Sequence, residues 1–223
     1  MKLRVLLLVV FTVSASLAQI SEKSSLFNKS KKTGIIIINE GISAYIVSPG
    51  LNFGMLTPKG LNSYETNERK RYKEALEVVE NRLNVKNLFL QTYKSIYEKK
   101  GIDIIKIKGK LTLEYLDSFK KPRRSKKKYS KYDFRFIKEK YNIDQLIVAD
   151  VKYGLLLNNN NGICEIITRV IDLGDNSLLH IDSSLGNIDV EGKWKTPPEY
   201  ESLYNAIRKA IENAILLEKI KFR

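Results

Sequence analysis

A chain of 223 residues with 43% hydrophobic positions carries enough apolar material for a core of ordinary size. Its one cysteine, Cys164, excludes an internal disulfide, and with His180 as the one histidine it excludes a zinc site of three or four nitrogen and sulfur ligands. Lys and Arg number 39 against 25 Asp and Glu, a formal charge of +14 that bears on solubility and attraction for polyanions and not on fold; richness in Lys, Ile, Asn and Tyr together points to a coding sequence poor in G and C as part of the cause.

The chain opens MKLRVLLLVVFTVSASLA, with a basic start at Lys2 and Arg4, an apolar run from Val5 to Val13 and a small-residue exit at Ser16-Leu17-Ala18. That is the build of a secretory signal, 1–18, cleaved after Ala18. The run is shorter than the ~20 apolar residues that span a bilayer. Gln19 stands where a bacterial lipoprotein would carry its lipid-bearing Cys. The expectation is a periplasmic or secreted protein with no transmembrane segment once the signal is removed. Residues 19–33 are polar without periodicity and read as a flexible lead-in. Residues 34–223 then form a single α/β domain.

Ile35 to Ile38 is an unbroken β-branched run that suits a strand covered on both faces, with a second apolar patch at 45–47. Residues 48–62, SPGLNFGMLTPKGLN, hold three Gly and two Pro and read as a long irregular loop, a common place for function. Phe53, Met55 and Lys59 are its candidate contacts. Pro58-Lys59-Gly60 puts the Lys on the wrong side of its glycine for a phosphate loop.

From Tyr64 to Lys100 the spacing is helical, through Ala75, Leu76, Val79 and Leu83, then Leu88, Leu90, Tyr93, Ile96 and Tyr97. Asn84 and Asn87 mark a break between two helices, and Gly101 a stop. The charges at 68–74 read as a solvated helix face. Residues 101–116 set Ile105 and Ile107 against Lys106 and Lys108 and predict a second strand.

The run KKPRRSKKKYSKY, residues 120–132, packs eight Lys and Arg into thirteen positions. Lys120, Lys121, Arg123, Arg124, Lys126, Lys127, Lys128 and Lys131 are the candidate polyanion-binding residues. Pro122, Ser125 and Ser130 interrupt the run, and it joins a strand to a helix, so it predicts an exposed loop and not a recognition helix. The plain alternative is a solvated loop. Tyr129, Tyr132 and Phe134 have the interleaving of a base-stacking surface, but an exported protein meets little nucleic acid. Lipid headgroups, lipopolysaccharide, wall polymers and acidic proteins are the polyanions within its reach.

FRFIKEKYNI reads as a short amphipathic helix. Residues 144–157 predict a strand apolar on both faces at first, then with Asp150 and Lys152 opposite Ala149, Val151 and Tyr153. GICEIITRVIDL alternates Cys164, Ile166, Thr168 and Val170 against Glu165 and Arg169, and Leu178 to Asp182 returns after a turn, giving a three-strand antiparallel meander. Inward-facing Cys164 reads as a small buried hydrophobe before it reads as the partner of His180 in a nucleophilic pair. Asp172, Asp175 and Asp182 gather around one hairpin, which turn chemistry explains more simply than a carboxylate metal site. No cofactor, metal or catalytic residue is therefore assigned; an enzyme built on carboxylates alone is the catalytic class left open. TPPE, 196–199, is a capping box that opens a last helix with the stripe Leu203, Ile207, Ala210, Ile211, Ala214 and Ile215.

NIDQLIVADVKYG, EIITRVIDLGDNSLLHID and PEYESLYNAIRKAIENAI together resemble a group of bacterial periplasmic envelope lipoproteins: the penicillin-binding-protein activators, the curli-export lipoprotein and the amino-terminal domain of the Tol-Pal translocation protein. Ala149, Asp150 and Gly154 match one strand motif of that group, and Val170, Ile171, Asp172, Leu173 and Leu179 match a second, with Gly174 displaced. The resemblance covers about 100–217 and implies an α/β sandwich used as an interaction module, with no catalytic residues to carry over. The absent lipid-bearing Cys departs from the lipoprotein pattern.

These readings converge on an α/β fold: a mixed sheet with an antiparallel strand meander, packed by helices in two or three layers. They favour an exported, non-enzymatic domain that binds a cell-envelope protein. The alternative is a secreted cationic protein that holds an anionic polymer or membrane surface through the 120–131 loop.

Overall fold

In the computed structural model, residues 31–46, 57–58, 67–108, 111–156, 160–191 and 200–222 are described. The signal, the lead-in up to Ser30, the 48–62 loop apart from Thr57 and Pro58, and the 196–199 cap lie outside the described residues, and Phe53, Met55 and Lys59 with them.

The strands are β1 (Thr33–Ile46), β2 (Thr57–Pro58), β3 (Ile104–Lys106), β4 (Lys128–Tyr129), β5 (Gln145–Leu156), β6 (Asn161–Asp172) and β7 (Ser177–Asp189). They make one mixed sheet in the order β2-β1-β5-β6-β7-β4, with β3 pairing β1. The helices are α1 (Asn67–Arg82), α2 (Val85–Glu98), α3 (Leu113–Leu116), α4 (Arg135–Tyr141) and α5 (Tyr200–Lys221). This is the α/β class expected. Neighbours β6 and β7 are joined by the turn at 173–176, too short to connect strands in parallel.

Contacts gather into two compact units. The first holds the described part of Met1–Ile35 with Tyr97–Ile147 and Arg169–Ile181. Here Gly101 takes φ +73°, and the amides of Gly101 and Ile102 return to the carbonyls of Glu98 (2.8 Å) and Tyr97 (3.1 Å), the Schellman ending the glycine predicted. β3 runs parallel to β1, with Thr33 opposite Ile104 and Ile35 opposite Lys106. The second strand expected over 101–116 is thus three residues long. Ile104 and Ile107 are buried and Ile105 is 45% exposed, the reverse of the expected alternation at 105. Pairing stops at Ile35, so the period of two has no ladder to hold it beyond Lys106, and residues 113–116 coil into α3. α4 buries Ile137 and ends on Asn142 in the left-handed conformation, with the Ile143 amide bonded to the Lys138 carbonyl.

The second unit holds Ile36–Ile96, Val148–Thr168 and Asp182–Arg223. β2 adds antiparallel to the end of β1, Tyr45 opposite Pro58. α1 buries Ala75, Leu76 and Val79, and the Leu88 amide bonds to the Asn84 carbonyl where α2 starts, which is the break expected. The stripe of α2 runs through Val85, Phe89, Tyr93 and Ile96; Leu88, expected inside, is 44% exposed. α5 buries the expected stripe and continues it to Ala206 and Glu218. It lies hard against the sheet. A Cβ on Gly186 of β7 would stand 1.9 Å from the Ala210 carbonyl oxygen, and one on Gly162 of β6 would stand 2.4 Å from the Ala206 carbonyl carbon.

The polar faces expected on β5 and β6 are not solvent faces: Asp150, Glu165 and Arg169 are all buried. Both strands lie inside the sheet order and are covered on both sides, so alternation in sequence does not translate into alternation in exposure. Among the described residues no helix is long and apolar enough to cross a membrane.

Candidate functional site

The basic run is a hairpin hung on the edge of the sheet. Lys120 and Tyr129 exchange two backbone hydrogen bonds, Lys120 N to Tyr129 O at 2.9 Å and Tyr129 N to Lys120 O at 2.8 Å, and close residues 121–128 into a loop. The Ser125 amide turns back to the Pro122 carbonyl at 3.1 Å. β4 pairs antiparallel with β7, Lys128 opposite Leu178 and Tyr129 opposite Ser177. A two-residue, lysine-bearing edge strand blunts further pairing. Sequence reading finds the exposed loop and misses β4, because lysine-rich residues give no strand pattern.

Two features brace the hairpin. One is the β6–β7 turn: the Asn176 carbonyl accepts from the Ser130 amide (3.1 Å), its side-chain oxygen accepts from the Phe134 amide (3.1 Å), and its side-chain amide donates to Asp133 (3.3 Å). The other is a set of rings below it. Tyr115 and Tyr132 lie 4.3 Å apart between centroids, and Phe119 stacks on buried Phe134 at 6.0 Å. The hydroxyls of Ser118 and Ser130 meet at 2.7 Å. Asn176 carries no signal in sequence beyond membership of a turn.

Of the eight candidate cations, two are engaged by acids among the described residues. Lys127 pairs with Asp175 at 2.9 Å, and Lys131 lies 3.8 Å from Glu114 and 4.7 Å over the Tyr132 ring. The hydrogen bond to Asp175 raises the Lys127 pKa, and that to Tyr132 raises the Lys131 pKa, so both stay charged. Burial pushes the Asp175 carboxyl up, but hydrogen bonds from Ser177 and Lys127 together hold it below the ordinary range. Lys120, Lys121, Arg123, Arg124, Lys126 and Lys128 are exposed, and among the described residues none has an acid within ion-pair distance. Beyond the hairpin, Asp133 is held well below its usual range by its bonds from Arg135.

The other chemistry-bearing residues are taken up structurally. Cys164 is completely buried, and burial pushes its thiol far above the range in which a thiolate forms. His180 is half-buried on β7. Asp172 goes to Lys31 (2.5 Å), Asp175 to Lys127 and Asp182 to Lys221 (3.0 Å), while Asp172 and Asp175 also take the amides of Gly174 and Ser177 in the turn. Asp172 and Asp175 serve the turn, Asp182 lies within β7, and each of the three has a separate amine. Among the described residues no group of three His, Cys, Asp or Glu is placed to hold a metal.

Two features of the second unit escape sequence reading. Glu218 is completely buried: the Tyr93 hydroxyl (2.8 Å) and the Thr168 hydroxyl donate to its Oε1, and the Ser184 hydroxyl (2.7 Å) to its Oε2. Its only signal is an acid three residues past Ile215, in register with the apolar stripe. An apolar groove of about 370 Å³ also opens beside α2 and α5, walled by Leu83, Val85, Leu88, Ile211, Ile215 and Leu216.

No family model and no curated protein sequence matches the chain. Among solved structures, the hypothetical protein CT253 from Chlamydia trachomatis matches with 7% identity and a TM-score of 0.34, covering 86% of this chain and 98% of that one. A PelC dodecamer from Paraburkholderia phytofirmans matches with 10% identity and a TM-score of 0.30, covering 82% and 90%. Likeness at these scores carries no argument about fold or function.

Proposed function

We propose that the chain is an exported domain that acts by binding, and that the 120–131 hairpin is the part that holds an anionic surface. The observation that carries this reading is the set of six exposed hairpin cations with no ion-pair partner among the described residues. Lysines kept for solubility are commonly interspersed with acids. Here, of the hairpin cations, Asp175 reaches only Lys127 and Glu114 only Lys131 among the described residues, and the remaining charges are confined to a loop closed at its base by two backbone bonds. A preorganised loop loses little freedom when it meets a polyanion. The secretory build of residues 1–18 and the resemblance of 100–217 to periplasmic proteins are the support for the compartment.

The test is retention of the protein on heparin and on phosphatidylglycerol vesicles at low and physiological salt, beside a variant with the six cations changed to Gln. Salt-sensitive retention lost in the variant is the expected result. Equal retention of the two proteins would make the run a solvated loop.

A second reading, binding of a cell-envelope protein, is favoured by the groove beside α2 and α5, whose apolar walls include Leu88 at 44% and Leu216 at 54% exposure. Leu216→Glu would weaken such a complex and leave heparin retention unchanged.

A further inference from the structure

Resting on the hairpin reading, we infer that the anionic surface is a lipid bilayer, and that Phe136 enters it as an apolar anchor beside the cations. Charge alone does not separate a bilayer from a soluble polymer, since either accepts six lysines and arginines. What separates them is exposed apolar surface in the same stretch of chain. Phe136 is 54% exposed, on the first turn of α4, and neighbouring Phe134 and Ile137 are buried. It follows Lys131 by five residues, a reach of at most ~17 Å. Its neighbours Arg135, Lys138 and Lys140 are further cations, two of them paired, Arg135 with Asp133 at 2.6 Å and Lys138 with Asp144 at 3.4 Å. A polyphosphate in water gains little from a bare phenyl ring, and a polysaccharide gains only the stacking of a sugar face on it. The headgroup and acyl boundary of a membrane gains the transfer of that ring from water, and combines it with attraction for basic residues.

The half-exposed rings Tyr115, Phe119, Tyr129 and Tyr132 agree with a bilayer more than with single-stranded nucleic acid. Base stacking needs open ring faces, and here Tyr115 lies against Tyr132 and Phe119 against Phe134. Tyrosines at a membrane interface need only a wet hydroxyl and a sheltered ring. Asn176 holds the Phe134 amide, so the start of α4 is fixed to the same turn that fixes the hairpin foot. Cations and anchor therefore share one brace.

The experiment compares the protein with Phe136→Ser, Phe136→Leu and the six-cation Gln variant. The probes are phosphatidylcholine vesicles with and without phosphatidylglycerol, a heparin column and a single-stranded oligonucleotide. Phe136→Ser should weaken retention on phosphatidylglycerol vesicles about tenfold, the worth of partly burying a phenyl ring. Phe136→Leu should keep most of it, and heparin retention should be the same in all three proteins that keep the cations. Phe136→Trp supplies a direct readout: after subtraction of the unsubstituted protein, which carries Trp194, its emission should shift to the blue when phosphatidylglycerol vesicles are added. Vesicle retention indifferent to Phe136→Ser, an unshifted emission, or tighter holding of heparin or oligonucleotide than of vesicles would overturn the bilayer while the hairpin reading stands. Loss of cation-dependent binding to every probe would sink both.

Discussion

The Tyr93 hydroxyl donates a 2.8 Å hydrogen bond to Oε1 of Glu218, and both residues are completely buried. With Thr168 and Ser184 the arrangement gives one carboxyl on α5 three hydroxyl partners, one each from α2, β6 and β7. Apolar stripes tolerate sliding by a turn, whereas a buried carboxyl with three fixed partners allows one placement of the helix. Glu218→Ala would take the shared acceptor of those hydroxyls out of the core and should cost about 3 kcal/mol; Glu218→Gln keeps one acceptor oxygen and should cost about half of that. Tyr93→Phe removes the hydroxyl that meets both Glu218 and the Thr168 hydroxyl, and should cost about 1.5 kcal/mol. Urea midpoints at constant slope measure all three. Equal midpoints for Glu218→Ala and the unsubstituted protein would show that the hydroxyls repartner freely.

A second stability prediction follows from how closely α5 approaches the sheet. Gly186→Ala would drive a methyl to 1.9 Å from the Ala210 carbonyl oxygen, where both groups are backbone-fixed and neither can rotate away. The helix must lift, and the cost should be ~3 kcal/mol or more. Gly174→Ala is the control: its Cβ meets nothing nearer than the Asp172 side chain at 3.1 Å, which can shift, so the change should stay below about 1 kcal/mol. Thermal unfolding of the two variants side by side would expose a mistaken placement of α5, since a looser helix would make them alike.

Much of this architecture is legible in the residues, for reasons that differ by element. α1, α2 and α5 announce themselves by apolar residues at helical spacing, β6 by its alternation, and β1 and β5 by the unbroken apolar runs near their starts. Gly101 marks its helix end because only a glycine sits easily at φ +73°. What fails is exposure and everything short. Asp150, Glu165 and Arg169 look like solvent positions by alternation, but central strands have no solvent face. β3 and β4, three and two residues long, are set by partners distant in sequence, Thr33 to Ile35 and Ser177 to Leu178, which no local pattern encodes. The cations of the hairpin are plain in the sequence. The brace that orients them, Asn176 with its bonds to Ser130 and Phe134, is tertiary and invisible there.

The Lys127–Asp175 pair predicts a small pH dependence with a definite sign. Asp175 titrates lower in the folded protein than in the unfolded chain, so its contribution is present above the unfolded value, near ~3.9, and is lost as pH falls through the folded one. Lys127 titrates higher when folded, so its contribution holds below ~10.4 and is lost as pH rises through the folded value. Both side chains are close to half exposed, and solvent screening keeps the pair near ~0.5 kcal/mol. Asp175→Asn should therefore lower the urea midpoint slightly at pH 7 and by less at pH 3. A larger deficit at pH 3 than at pH 7 would contradict the assignment.

That same substitution bears on binding, because it frees Lys127 and leaves the hairpin with seven cations, in place of six, that have no ion-pair partner among the described residues. If the hairpin meets phosphate groups, each cation in contact displaces a screening counterion, and affinity falls more steeply with salt as the number of contacts rises. Asp175→Asn should then tighten retention on phosphatidylglycerol vesicles at low salt and steepen its salt dependence, while costing stability. Changing Lys121, Arg123, Arg124 and Lys126 to Gln should do the opposite: flatten the salt dependence and leave the urea midpoint within about 0.5 kcal/mol, since those side chains have no acid partner among the described residues. Stability and affinity moving in opposite directions in the first variant, and affinity moving alone in the second, is a pattern that general weakening of the fold does not produce. Vesicle titrations across a salt series, with urea midpoints on the same preparations, decide it; parallel loss of affinity and stability in the four-residue variant would mean that the loop cations hold the fold and not a ligand.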